Sequence, residues 1–328
     1  MHEKMQHSAR RSLESILELR PEERFLVVTD DVKGPIGQAF REAARDLGCD
    51  GELYMLDSAV RPLHELSADL VESIERADVV VNCFQAFAEE TPFRVALIRK
   101  LLEQPRRVGH APGITESMMV TGPMDVDFQS LKVRALEMIS ALRQASYARI
   151  IAPGGTDLTV YVEGRHWDTD VVIEPGHFGN LPCGEVWCAP VENLGEGTLV
   201  CDGSIGDLGA VPEPVTIVID GGRIQSVDCP DRDFLTKLEE ALAIDDDARV
   251  LGEFGIGINP GARLTGNMLE DEKAFRTAHI AFGNNEEMSG GRNRSRTHRD
   301  FLFREPTIVI HNVDGSAFSV VEDGIAAV

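Results

Sequence analysis

Residues 25–57 read FLVVTDDVKGPIGQAFREAARDLGCDGELYMLD, and this stretch decides the fold of the first half of the chain. FLVVTD, Phe25 to Asp30, has the length and the apolar, β-branched content of a buried strand. Ile36, Phe40, Ala43, Ala44 and Leu47 then recur at helical spacing, and Gly48 stops the helix. ELYMLD is the next strand. A strand, a helix and a strand in succession imply a crossover and therefore parallel pairing. The turn between them, TDDVKGPIGQAF, lacks both GxGxxG and the P-loop glycine pattern, so Gly34 and Gly37 read as turn and helix-start residues, not as a phosphate cradle.

Outward from this unit the alternation continues. Leu66, Leu70 and Ile74 mark a helix, DVVVNCF (Asp78 to Phe84) a strand, FRVALIRKLLEQ a helix and RRVGHAPG a fourth strand. A longer helix from about Asp127 to Ala145 closes the region. Upstream, MHEKMQHSARRSLESILELRPEE lacks the apolar core of a secretory signal and reads as an amphipathic helix with Leu13, Ile16 and Leu17 on one face.

After Tyr147 the texture changes. ARIIAP, DLTVYVEG, GEVWCAP and GTLVCDGSI are strands separated by Gly, Pro and Asn. PVTIVIDGGRIQSVD is a hairpin with a DGG turn, and PTIVIHNVDGSAFSVVEDG is a second. One helix interrupts them, with Phe234, Leu235, Leu238, Ala241 and Leu242 on its face, and the acidic run Asp245 to Asp247 reads as a solvated loop. The expected fold class is α/β. Residues 1–147 form an N-terminal α/β domain with a parallel sheet, and residues 148–328 a C-terminal, mostly-β α+β domain.

Charge and composition exclude several classes of partner. Lys and Arg total 32 against 55 Asp and Glu, a formal net charge of −23, which repels duplex nucleic acid and anionic membranes. No run approaches the roughly 20 apolar residues of a membrane span. The six cysteines form no CxxC pair and read as reduced thiols of a cytoplasmic protein.

Metal-ligand residue types concentrate in four stretches of the second half: Glu185 in GNLPCGEVWCAP, Glu253 in LGEFGIGINPGA, His279 in RTAHIAFGNN, and His298 with Asp300 in SRTHRDFLF. Side chains two apart on a strand share a face, so His298 and Asp300 project together. Carboxylates and imidazoles are the ligands that Zn, Mn, Co or Fe(II) accept when water must stay bound. Taken singly, each residue is compatible with a plain structural role. They make one site only if the fold converges them.

PCGEVWCAP, GEFGIGINP, LEDEKAFRTAHIAFG and the terminal THRD resemble successive signatures of the aminopeptidase T and aminopeptidase S (leucyl aminopeptidase-type) metallopeptidase family. RVGHAPGITESMM in the first half is also similar to that family. The resemblance runs from about residue 25 to the C-terminus and is densest from Gly179 to Phe303. It implies a two-domain homodimer holding a pair of divalent metals, with Glu185, Glu253, His279, His298 and Asp300 at the ligand positions. One departure stands out: the family's tyrosine seven residues after the first histidine is Glu286 here, in HIAFGNNEE. The short spacing between His279 and His298 suits a compact branch of the family.

The function this implies is a metal-dependent, aminopeptidase-like hydrolase that cleaves a peptide or small-molecule amide bond with a metal-activated water. The cofactors are Zn, Co or Mn, two per chain, and Glu185 or Glu253 shuttles the proton to the leaving amine. Arg292, Arg294 and Arg296, just before His298, read either as a clamp for a substrate carboxylate or as solvated loop charge. Two alternatives stay open. One is a non-haem Fe(II) ring-cleaving dioxygenase of the 2,5-dihydroxypyridine type using His279, His298 and Asp300. The other is a non-catalytic, small-molecule-binding member of the fold.

Overall fold

The structure, a computed structural model, describes residues 1–327. The chain divides into two compact units: Met1–Lys132 with Asp170–Cys183, and Val133–Thr169 with Gly184–Val328. Where the sequence suggests one boundary near residue 147, the chain thus passes between units three times. The reason is the strand His177–Asn180, which pairs in parallel with Arg107–His110 as the fifth strand of the first sheet. Its sequence, HFGN, has no apolar run to announce it.

In the first unit all five strands are parallel, in the order Gly51–Met55, Phe25–Thr29, Val79–Cys83, Arg107–His110, His177–Asn180. Leu26, Val28, Val80 and Val108 pack on one face with Leu70, Ile74, Leu97 and Leu101 from the helices Ala68–Arg76 and Thr91–Leu102. On the other face the helix Gly34–Asp46 lies so close that a Cβ at Gly37 would fall 2.8 Å from the Thr29 side chain. Gly37 therefore serves helix–strand packing rather than the helix start. The buried strands read as continuous apolar runs because both faces are covered.

The second unit holds two antiparallel sheets, of eight and seven strands. The eight-stranded sheet buries one face only: along Val215–Asp220, Val215, Ile217 and Ile219 are buried while Thr216, Val218 and Asp220 are exposed. Its hairpin turns through Gly221 and Gly222, both at positive φ (56° and 69°), as the two-residue turn of a right-twisted hairpin requires. Thr307–Asn312 and Ala317–Glu322 form the second hairpin.

The seven-stranded sheet runs Gly209–Ala210, Ser204–Ile205, His298–Arg304, Thr277–Gly283, Leu251–Gly257, Glu185–Cys188, Trp167–Thr169. Every residue of Leu251–Gly257 and of Thr277–Gly283 is buried. Among the described residues no helix is long and apolar enough to cross a membrane. All six cysteines are buried free thiols.

Candidate metal centre

The register of the seven-stranded sheet decides which side chains meet. Gly255 stands opposite His279, Gly257 opposite Glu185, Ala281 opposite both Glu253 and Asp300, and Gly283 opposite His298. Directly paired residues share a face, so all five candidate ligands lie on one side of the sheet. The positions between them are glycine or alanine, which leaves that side open for ligand side chains. The opposite side carries Val186, Phe254, Ile256, Ile280, Phe282, Phe301 and Phe303, all buried. The two faces of one sheet thus divide the labour, apolar core on one and ionisable groups on the other.

The five residues converge. Glu253 Oε1 lies 3.3 Å from His279 Nε2, and its other oxygen, Oε2, lies 3.2 Å from His298 Nε2. Glu185 Oε2 is 3.6 Å from His279 Nε2, and Asp300 Oδ1 is 3.4 Å from His298 Nε2. Two donor groups result, Glu185–Glu253–His279 and Glu253–His298–Asp300, each with ligand atoms within 4.8 Å of one another. Glu253 belongs to both. The His279 side chain is 1% exposed and that of His298 32%, so the centre opens to solvent at His298.

Two local features fix the imidazoles. His279 lies over Gly255, where a Cβ would fall 2.0 Å from its Nε2. His298 donates from Nδ1 to the Asn284 carbonyl at 2.7 Å, which turns Nε2 towards Glu253 and Asp300. Asn284 opens a loop held by amide side chains. Asn285 Nδ2 donates to the Gly252 carbonyl at 3.0 Å and its Oδ1 accepts from Asn293 N at 2.8 Å. Asn293 Nδ2 donates to the carbonyls of Gly283 and Asp247.

Electrostatics follow from this crowding. Burial opposes ionisation of Glu253, yet hydrogen bonds from His279 and His298 outweigh it and bring its pKa down to about 2. Burial also disfavours charge on the histidines, but Glu253 raises His279, and Asp300 with Glu253 holds His298 well above the ordinary imidazole range. Asp300 is lowered, with His298 overcoming its burial. Buried ionisable groups at this density cost a fold stability, and groups perturbed in this way cluster at functional sites.

The three loop arginines stand differently. Arg294 pairs with Glu286 at 2.6 Å, and Arg296 bonds to Asp245 and to the Ile244 carbonyl. Arg292 donates its backbone N–H to Glu192 at 2.7 Å and keeps an exposed side chain. Asp245 is more than a solvated loop residue, since it accepts from Ser295 Oγ and Arg296 N and so anchors the loop that ends at His298. Sequence reading passed over Lys273, whose fully buried ammonium donates to Glu185 and Glu272. It also passed over Gly255 and Asn284, because no motif marks a glycine under a ring or a carbonyl behind one.

Comparison with known proteins meets this geometry. The sequence profile of the thermophilic metalloprotease (M29) family matches residues 127–325, the stretch that contains all five candidate ligands. The chain belongs to the M29 metalloprotease family. No curated protein sequence matches the chain. Solved structures that share the fold of the whole M29 chain include these two. One is 2,5-dihydroxypyridine dioxygenase from Pseudomonas putida KT2440 (TM-score 0.75, 18% identity, 100% of this chain and 98% of that one). The other is wild-type AmpT from Thermus thermophilus (TM-score 0.74, 18% identity, 99% of each chain). At that identity the likeness concerns fold alone.

M29 enzymes are metallopeptidases that use divalent metals, and the residues present fit such a group. The donor set is carboxylate and imidazole, His298 offers Nε2 with Nδ1 already committed, and His279 has a cradle that a Cβ would fill.

Proposed function

We propose that this M29 protein is an aminopeptidase-like hydrolase that cleaves a peptide or small-molecule amide bond. The observation that carries the reading is the double engagement of Glu253, one oxygen facing His279 at 3.3 Å and the other facing His298 at 3.2 Å. A carboxylate between two donor groups is the arrangement for two cations. Glu185, Glu253 and His279 would hold one, and Glu253, His298 and Asp300 the other. Divalent cations of the Zn, Co or Mn class would, when bound, lower the pKa of a water and polarise the substrate carbonyl. The chain's own residues supply orientation and proton transfer. One of the two buried carboxylates, Glu185 or Glu253, carries the proton to the leaving amine. The more open His298 side admits substrate, and Arg292 is the arginine proposed to meet a substrate carboxylate.

The single-iron oxygenase reading needs both histidines and Asp300 around one ion. Here the histidines fall into separate donor groups on either side of Glu253, which supports two cations instead. We further propose a cytoplasmic homodimer. Six free thiols support the compartment, and the hairpin edge strands support the pairing. The decisive experiment measures metal per chain in the purified protein, hydrolysis of leucyl anilides, and oxygen uptake with dihydroxylated heteroaromatics. Two Zn, Co or Mn ions with hydrolysis is the expected result, whereas one iron with oxygen consumption overturns the proposal.

A further inference from the structure

The Glu185 side of the centre contains a fixed cation. Lys273 has a side chain with no exposed surface, and its Nζ donates to Glu185 Oε1 and, at 2.5 Å, to Glu272 Oε1. The loop that delivers it is tightly held. Lys273 N donates to the Glu270 carbonyl at 3.1 Å, and the Lys273 carbonyl accepts from Asn259 N at 2.9 Å. The preceding Asp271 accepts from Thr265 N, Gly266 N and Ser204 Oγ at 2.7, 2.9 and 2.6 Å. The backbone that carries the lysine is therefore fixed, and burial with the two carboxylates holds its ammonium.

The consequence concerns Glu185. Its Oε1 is engaged by Lys273 while its Oε2 faces His279, so one carboxylate serves an ammonium on one side and the donor group on the other. A fixed positive charge one carboxylate away from a bound cation repels that cation, and the repulsion is weakly screened where both are buried. We propose that Lys273 is a positioning residue, a built-in counter-ion that restricts Glu185 to one ligating oxygen and weakens cation binding at Glu185–Glu253–His279. The two positions then load in order, Glu253–His298–Asp300 first. The inference rests on the two-cation reading of the proposed function.

The test titrates chelator-stripped full-length protein with Mn²⁺, counting free ion by electron paramagnetic resonance and bound ion by calorimetry. Wild type is expected to show two steps of unequal affinity. Lys273→Met removes the competing charge and tightens the weaker step by roughly tenfold or more. Lys273→Arg keeps the charge and keeps the steps unequal. Glu272→Gln removes one carboxylate that shares the ammonium with Glu185 and loosens the weaker step. A merely structural lysine would loosen binding when replaced by methionine, so the opposite sign is the signature. Stripped Lys273→Met also melts below stripped wild type and regains stability with Mn²⁺. Equal steps in wild type, or weaker or unchanged binding in Lys273→Met, overturns the inference while the two-cation reading stands. If Lys273→Met does not fold, a tightened or unchanged weak step in Glu272→Gln overturns it. Wild type that takes up no Mn²⁺ overturns the functional reading itself, and this inference with it.

Discussion

The imidazole of His279 rests on the backbone of Gly255, its partner across the strand pair, with room for a hydrogen at the Cα and none for a methyl. That contact lets a fully buried histidine aim Nε2 along the sheet at Glu253 and Glu185 together. It ties a feature invisible in composition, one glycine in a buried strand, to the geometry of the whole centre.

Gly255→Ala should push the His279 ring off its position. The expected loss is about 1–3 kcal/mol of stability from overpacking and about 10- to 100-fold in affinity for one cation. Chemical denaturation and metal content per chain check the two effects separately. Unchanged metal content would show that His279 does not depend on this contact.

Glu253→Gln should lower metal content from two per chain toward one and remove most turnover, because the lost charge is the one both donor groups share. Glu253→His should not restore hydrolysis. Elemental analysis beside leucyl anilide hydrolysis decides the matter, and a variant that keeps two metals would contradict the bridging role.

pH dependence of the stripped protein has a definite sign. Glu253, at about 2 when folded, lies below the unfolded value of about 4.3, so its contribution is present above that value and lost as pH falls through about 2. His279 and His298 are raised, so their contribution is full below about 6.5 and disappears as pH rises through their folded values. Metal-free protein should therefore lose stability on going above neutrality, whereas metal-loaded protein, whose ligand histidines must be neutral, should not. Melting curves with and without chelator between pH 6 and 9 compare the two; parallel profiles would refute the coupling.

Asn285→Ala removes an amide that holds the loop behind His298, leaving the Gly252 carbonyl and Asn293 N–H without their partner. A cost of about 1–3 kcal/mol is expected for the unsatisfied buried groups. A loss of about 10-fold or more in cation affinity should fall on the His298–Asp300 group. The imidazole nitrogen shifts of His298 report whether its Nδ1 proton still sits on the Asn284 carbonyl. An unaltered tautomer with unaltered affinity would leave the loop without a part in orienting the ring.

Much of this molecule was legible in its sequence. Parallel strands such as Phe25–Thr29 and Val79–Cys83, covered on both faces, must be apolar throughout and declare themselves, as do helices with one apolar stripe. The DGG hairpin follows from the positive φ that only glycine adopts freely at both turn positions. Residue type made the five ionisable positions candidates and strand periodicity set His298 and Asp300 on one face, but it was the resemblance to the metallopeptidase signatures that named them as one ligand set. Tertiary structure alone decided the rest. That His177–Asn180 returns to the first sheet depends on backbone hydrogen bonds, which leave no trace in side-chain pattern. The register that sets Gly255 against His279, and the burial of Lys273 beside Glu185, arise from pairing between segments far apart in the chain. Sequence specifies which groups are available, and long-range pairing specifies which of them meet.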